Sequence, residues 1–274
     1  MPTSDWGDWL VEAIESADPT GLAAWYLGCN GVAFATGSTV AYVDPYLGLG
    51  DPPRTVRMIP VPFDPEAPTR CDAILVTHEH TDHLHGPTQG PMLANTGAAL
   101  YAPGHVVDLA RERAWSEAYD LRDDQLVPVA PGDAFEIGDV RVSVHEATDP
   151  DAEAPVAYAL EAAGRTAVHP GDARPSATMS RIDEHHDADV AFVAYGSRGH
   201  IPDKRTGEVV PTTWYNDAND AVELAEQLGA TRLVPTHWDM WKGLTADPVA
   251  LVPHARATPI ERVELVEIGD RVDV

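Results

Sequence analysis

Residues 77 to 83 read Thr77-His78-Glu79-His80-Thr81-Asp82-His83, which sets three imidazoles and a carboxylate close together in the chain. The apolar run Ala73-Ile74-Leu75-Val76 leads straight into them. A short strand that ends in a tight loop would point several of these side chains at one spot. Imidazole nitrogen and carboxylate oxygen are the donors that hold divalent transition metals. A helix suits the spacing less well, because positions i, i+2 and i+5 do not share a helical face. The bland alternative is a polar surface loop rich in His, and this density of ligand types argues against it.

Three further candidates follow strand-like runs downstream. Asp172 closes His169-Pro170-Gly171-Asp172, just after Thr166-Ala167-Val168. His237 closes Leu233-Val234-Pro235-Thr236-His237. Asp149 comes after the alternating run Val140-Arg141-Val142-Ser143-Val144, with His145 four residues before it. Alone, an Asp after a Gly is usually a turn residue. Together with the first cluster, these groups read as ligands on loops held at one edge of a sheet. His169 and Asp239 are candidates for fixing the ligand imidazoles from behind, or they are ordinary turn and cap residues.

The elements that must position these groups alternate in type. Ser4 or Asp5 can cap a helix whose Trp6, Trp9, Leu10, Ala13 and Ile14 share a face. Strands are expected near 23–27, 32–35, 40–43, 140–144, 157–160, 166–168, 190–194 and 232–234, and helices near 106–114 and 217–228. The Pro-rich stretch from Asp51 to Thr69 cannot be regular structure and reads as a long loop near the site. Glu-Ile-Gly-Asp occurs at 136–139 and again at 267–270. A shared hairpin turn explains that more cheaply than two similar halves. No linker argues against a single domain over residues 1–274.

The motif set resembles the metallo-β-lactamase-fold superfamily, and more closely its L-ascorbate-6-phosphate lactonase group. The residues that carry the likeness are Trp25-Tyr26-Leu27-Gly28-Cys29-Asn30-Gly31, Val43-Asp44-Pro45-Tyr46, the His cluster, and Gly132 to Val140. His169-Pro170-Gly171-Asp172, Tyr195-Gly196 with Asp203-Lys204, and Thr236-His237-Trp238-Asp239-Met240-Trp241 complete it. The likeness implies an α/β fold of four layers, αββα, in which two mixed β-sheets are flanked by helices. It also implies a metal-dependent hydrolase acting on a sugar-acid lactone phosphate, with manganese as metal. The third motif has no His in the usual register, so Asp149 or His145 completes the first metal position. Arg205 to Tyr215 stands out as an insertion against that group.

The expected chemistry is hydrolysis assisted by one or two divalent transition metals, Mn or Zn. His78, His80 and Asp149 would hold one cation, Asp82, His83 and His237 a second, with Asp172 between them. Water on such a cation drops from a pKa of roughly 15.7 to about 7, which gives hydroxide to attack a lactone carbonyl. The metal would also stabilise the oxyanion. Asp82 or Asp172 would orient the water. No Gly-x-Ser-x-Gly elbow supports a serine nucleophile. No thiolate is expected among the ligands, which leaves Zn, Mn and Fe open. A phosphorylated small-molecule substrate needs cations, and Arg198, Lys204 and Arg205 are the candidates. Two rivals stand beside this reading: a phosphodiesterase or nuclease on the same scaffold, and a non-catalytic binding protein.

Composition carries a separate message. The 274 residues include 18 basic and 44 acidic ones, a formal charge of -26. Lys occurs only at 204 and 242, and acidic residues are spread along the chain. Such self-repulsion destabilises a compact state in dilute salt. Screening to a Debye length of roughly 3 Å at 1 M removes most of it. The balance therefore points to the cytoplasm of a high-salt organism, and it disfavours nucleic acid, whose binding needs cationic groups. Two cysteines, Cys29 and Cys71, are too few for a disulfide framework and read as buried thiols. No apolar run approaches the ~20 residues of a membrane span, so no membrane partner is expected. Subunit number is open, a homo-oligomer included.

Overall fold

The computed structural model describes residues 3–4, 6–52, 54–196, 198–202 and 206–274. One sheet is built from β1 (Ala23–Gly28), β2 (Gly31–Ala35), β3 (Val40–Val43), β4 (Ala73–Leu75), β5 (Ala99–Pro103), β6 (Leu126–Val129) and β16 (Arg271–Asp273). Its strand order is β16-β1-β2-β3-β4-β5-β6. The second sheet uses β7 (Ala134–Ile137), β8 (Val140–Glu146), β9 (Val156–Ala162), β10 (Arg165–His169), β11 (Val190–Ala194), β14 (Arg232–Thr236) and β15 (Arg262–Val263). Its order is β15-β14-β11-β10-β9-β8-β7. Both sheets are mixed. β12 (Arg198–Pro202) and β13 (Val209–Thr213) form a separate antiparallel pair.

The layers follow from strand periodicity, since successive side chains point to opposite faces. In β1, Ala24 and Tyr26 face the second sheet while Ala23, Trp25 and Leu27 face outward, and all five are buried. β11 does the same: Val190 and Phe192 point inward, Ala191 and Val193 outward. The inner layer joins Tyr26, Phe34, Val43 and Leu75 to Val142, Tyr158, Leu160 and Phe192. Phe34 meets Phe192 edge to face across it, with ring centroids 5.5 Å apart.

Helices cover the two outer faces. α1 (Trp9–Glu15), α2 (Gly86–Thr96), α3 (Gly104–Glu112) and α4 (Trp115–Tyr119) contribute Leu10, Met92, Val106 and Trp115 against the first sheet. After α5 (Ser180–Asp183), α6 (Ala218–Gln227) and α7 (Leu251–Ala255) contribute Leu224 and Leu251 against the second. The order is therefore helix, sheet, sheet, helix, as the motifs implied. No helix among the described residues is long and apolar enough to cross a membrane.

Strand direction is what serves the site. β3 to β6 run parallel. β8 and β10 both run antiparallel to β9, so they share a direction, and β10, β11 and β14 are parallel. The carboxyl ends of β3 and β4, and those of β8, β10 and β14, are where the candidate ligands stand.

Two local expectations are corrected. α1 starts at Trp9 with Asp8 as its cap position and no side-chain cap bond. Ser4 instead donates to the Val61 carbonyl, and its own N–H donates to Asp64 Oδ1, which fastens the chain start to the Pro-rich loop; Asp5 lies outside the described residues. The buried face of α1 is Leu10, Val11 and Ile14, and Trp9 is exposed, with its ring tilted against Trp6. The segment read as an insertion supplies β13. Of the two Glu-Ile-Gly-Asp copies, only 136–139 forms a hairpin turn, between β7 and β8. The copy at 267–270 leads from one sheet to the other, between β15 and β16. As expected, the 51–69 stretch holds no helix or strand among its described residues, and Arg57 bridges to Trp241.

Candidate metal centre

β4 ends at Leu75, and the chain then makes a tight loop before α2. His78 and His83 are fully buried in that loop. Asp44, at the end of the neighbouring β3, lies beneath them. Its Oδ1 accepts from the Thr77 N–H at 2.8 Å and its Oδ2 from the Thr77 hydroxyl at 2.6 Å. The same Oδ2 accepts from His83 Nδ1 at 2.8 Å. Because the Thr77 proton goes to Asp44, the Thr77 oxygen is left to accept from His78 Nδ1, 2.9 Å away. One carboxylate thus fixes the tautomer of both rings, His83 directly and His78 through Thr77, and turns both Nε2 atoms inward. His80 is fixed separately, with Nε2 donating to the Asp151 carbonyl at 3.1 Å. Its Nδ1 lies 2.9 Å from His78 Nε2.

The second sheet closes the other side. Asp149, three residues past β8, places Oδ2 4.0 Å from His78 Nε2. Asp172, past β10, places Oδ2 3.9 Å from His78 Nε2 and 3.3 Å from His83 Nε2. Its Oδ1 is 3.9 Å from His237 Nε2 and accepts from the Asn30 amide at 3.0 Å. His237, immediately past β14, sets Nε2 3.4 Å from Asp82 Oδ2. The Tyr215 ring stacks on His237 at 3.8 Å and walls off that side. Gly171 makes the turn to Asp172 possible: its φ is +63, and an added Cβ would meet Thr77 Oγ1 at 2.8 Å. Three side-chain-bearing residues of the site, Cys29, Asp44 and His237, also have positive φ. Conformations of this kind persist only where surrounding structure over-determines them, and they cluster at functional sites.

All seven candidate ligands therefore converge. Donor atoms of His78, His80, Asp149 and Asp172 lie within 4.8 Å of one another, and so do those of His83, Asp172 and His237. Asp172 belongs to both groups. Two donors about 2.1 Å from one cation stand about 3.0 to 3.4 Å apart, depending on whether the angle is octahedral or tetrahedral. The spacings found straddle that range. The residues fit a divalent cation on a second ground. His83 Nε2 is buried and has no hydrogen-bond partner, because Asp172 lies close enough but off the angle of a hydrogen bond. A buried donor or acceptor left bare is costly, and a cation supplies the missing partner.

The electrostatics agree. Burial would raise the Asp172 carboxyl, yet His83 and His237 hold it far below the usual range. Asp82 is likewise low against the effect of burial, through the His237 hydrogen bond and the charges of His83 and His237. Burial pushes the His78 imidazole down to about 3, with His83 adding to the effect. Burial also raises Asp149. The centre thus presents ionised Asp82 and Asp172 beside a neutral His78, the forms that bind metal, whereas Asp172 and Asp44 raise the His83 imidazole against burial, so a cation there would displace its proton.

Other expectations fare differently. His145 does not join the centre. It sits inside β8, and alternation with the inward Val140, Val142 and Val144 turns it to the outer face. There its Nε2 lies 2.9 Å from His186 Nε2, and it lines a cavity of about 710 Å³ that none of the seven converging residues borders. His169 and Asp239 touch no candidate imidazole. His169 Nε2 donates to the Asn30 carbonyl at 2.8 Å, so it reaches Asp172 only through Asn30. Asp239 accepts from the Tyr26 hydroxyl, which accepts from the His237 N–H. Arg198 is exposed and paired with Asp217 at 2.9 Å, while Lys204 and Arg205 lie outside the described residues. A thiol does stand beside the centre: Cys29 Sγ lies 3.5 Å from His237 Nε2 and 3.7 Å from its Nδ1. Sequence reasoning gave no role to Asp44, Asn30, Thr77 or Tyr215. Asp44 had a signal, since it follows an apolar strand as Asp172 does.

Fold and site together define the class, a metallo-β-lactamase-fold, metal-dependent hydrolase. The chain belongs to the beta-lactamase superfamily domain family, whose model matches residues 40–238. It is 27% identical to a probable L-ascorbate-6-phosphate lactonase of Escherichia fergusonii, over 89% of this chain and 77% of that protein. Among solved structures it resembles a metallo hydrolase from the hyperthermophilic archaeon Ignicoccus hospitalis, with TM-score 0.65 and 17% identity over 92% of this chain and 98% of that one. A diiron beta-hydroxylase from Streptomyces venezuelae matches with TM-score 0.65 and 16% identity, over 93% of this chain and 54% of that one. At these identities the solved structures speak for the fold alone.

Proposed function

We propose that the protein is a lactonase that opens a sugar-acid lactone with the help of one or two bound divalent cations. The observation that carries the reading is the convergence of seven imidazoles and carboxylates, from both sheets, around Asp172. The lactone comes from the name of the 27% identical relative. His78, His80 and Asp149 would hold one cation, and Asp82, His83 and His237 the other, with Asp172 facing both. A cation bound there supplies Lewis acidity and brings the pKa of water from roughly 15.7 to about 7. The protein's own groups do the rest. Asp82 and Asp172, both ionised, orient the attacking water. The Asp44–Thr77–His78 and Asp44–His83 bonds keep the ligand nitrogens aimed inward. The buried Tyr215 ring excludes bulk water from the His237 side.

An anionic substrate needs a cationic anchor. Arg198 is engaged with Asp217, whereas Arg54 lies over the Trp214 ring, 5.6 Å from its centroid, with a buried Nε lacking a partner. Trp214 precedes Tyr215, whose ring stacks on His237, and we assign Arg54 as that anchor. The test is a panel of sugar lactones, with and without a phosphate, and bis(p-nitrophenyl) phosphate, assayed at molar salt with Mn or Zn. Metal-dependent turnover of lactones supports the reading. Turnover of the phosphodiester alone would replace it with phosphodiesterase chemistry, and metal binding without turnover would leave a binding protein. Arg54→Met should raise KM for the phosphorylated lactone and leave the unphosphorylated one unaffected.

A further inference from the structure

Trp214 and Tyr215 close the stretch that stands out as an insertion, and the structure fastens them to the turn that carries Asp172. The Arg174 guanidinium forks onto their two carbonyls, Nη2 donating to Trp214 at 2.5 Å and Nη1 to Tyr215 at 2.9 Å. The next residue, Asn216, is fully buried, and its Nδ2 donates to the Ala173 and Ala194 carbonyls at 2.8 and 2.9 Å. Ala173 and Arg174 directly follow Asp172 in the chain. The backbone that sets a candidate ligand therefore also sets the Tyr215 ring. That ring lies 3.8 Å from the His237 ring and 24° from parallel, which keeps its hydroxyl within a few ångström of His237 whichever way the ring turns. Burial pushes the phenol up, and the charges that add to the effect are Asp82 and Asp172. A phenol oxygen both accepts and donates, whereas an indole N–H only donates. The side chain that bears on the Tyr215 oxygen is the Trp241 indole, buried and with no formed hydrogen bond. Among the described residues nothing accepts the Tyr215 proton, and the hydroxyl, unlike the indole nitrogen, is not sealed from solvent. A fixed donor beside the centre is thus left unspent.

We propose that the Tyr215 hydroxyl is a catalytic residue that donates a hydrogen bond to the lactone carbonyl oxygen as that oxygen gains charge. The attacking water adds its oxygen to the carbonyl carbon and gives one proton to solvent, while the π pair moves onto the carbonyl oxygen. The phenol keeps its own proton throughout, since an ordinary phenol ionises only near pH 10, and it shares that proton with the charged oxygen. The pair then returns, the ring C–O bond breaks, and the released alkoxide takes a proton from solvent. A donor already in place where charge develops needs no reorganisation during the reaction. The stack on His237 and the Arg174 fork supply that placement. The proposal rests on the lactonase reading.

Tyr215→Phe keeps the stacked ring and removes the hydroxyl alone. Wild type and variant are assayed at molar salt on the sugar lactones of the panel, glucono-δ-lactone and its 6-phosphate among them. Metal content and the urea midpoint are measured on the same preparations. The expected result is a fall in kcat of about 100-fold, the effect of removing one such donor, with KM, metal content and midpoint unchanged. Trp241→Phe, which removes the indole N–H that bears on the phenol, should lower kcat by less. A Tyr215→Phe kcat close to that of wild type, or a rise in KM alone, overturns the proposal and leaves the lactonase reading standing. A variant that loses metal, midpoint or fold together with kcat would make the hydroxyl a structural contact, and this too overturns the proposal. Wild type that turns over no sugar lactone overturns the lactonase reading and this proposal with it.

Discussion

Asp44 is never in line to touch a cation, yet it orients His83 directly and His78 through Thr77. Removing its charge while keeping its shape is therefore expected to loosen metal without emptying the core. Asp44→Asn should weaken metal affinity about 10- to 100-fold, the usual effect of losing such a supporting contact. Competition against a chelating dye measures it, and unchanged affinity would show that the rings hold their tautomers without Asp44. At this scale the sequence was most legible where ligands crowd together. His78, His80, Asp82 and His83 announce themselves by density, and Asp172 and His237 by ending apolar runs. Cys29 and Asn30 were not legible as site residues, because they enter through the turn of a hairpin distant in the chain. Nothing in Gly28-Cys29-Asn30-Gly31 says that it will be folded against His237.

Elements decide which of two neighbouring candidates reaches the centre. His145 and Asp149 are four residues apart, but one belongs to β8 and the other lies past its end. The strand's period of two fixes His145 on the outer face, and that could be read from Val140, Val142 and Val144. A pH dependence follows. Burial lowers the His145 imidazole to about 4, with His186 and His185 contributing. The unfolded chain takes up this proton near pH 6.5, while the folded chain takes it up only near 4. Its contribution to stability is thus present above about pH 6.5 and is lost as pH falls toward about 4. In urea denaturation of metal-free protein, His145→Gln should lose less stability than wild type across that window; equal slopes would refute the assignment. Gly171 tests the turn after β10. Gly171→Ala forces a Cβ against Thr77 in left-handed backbone, a conformation that costs about 1–3 kcal/mol. A lowered urea midpoint together with reduced metal content is expected. Normal values for both would mean that Asp172 is placed without that glycine. The eight strands read from alternation and the two helices near 106–114 and 217–228 are found at those places within a few residues. The N-terminal helix was misjudged because Ser4 bonds to the Pro-rich loop, a tertiary contact that local capping patterns do not reveal.

The whole molecule carries 44 acidic against 18 basic residues, and its side chains pair only some of them. We propose that the protein is adapted to a salty cytoplasm. Its melting temperature should rise steeply between about 0.1 M and several molar KCl, as the Debye length contracts from about 10 Å to below about 3 Å. A flat or falling curve would make the charge an ordinary acidic surface. The four-layer architecture was legible through the resemblance that the motifs carry, and the strand patterning gave the strands without their layers. The pairing of the two sheets, which brings β4 opposite β8, β10 and β14, was not, since it is a long-range packing choice made by the inner faces around Phe34 and Phe192. That packing is what gathers the ligands, and so anomalous diffraction from crystals grown with manganese or zinc probes the account most directly. It predicts density flanking Asp172, between His78, His80 and Asp149 on one side and Asp82, His83 and His237 on the other. A fully loaded crystal with no anomalous peak beside Asp172, or with its peaks elsewhere on the acidic surface, would contradict it.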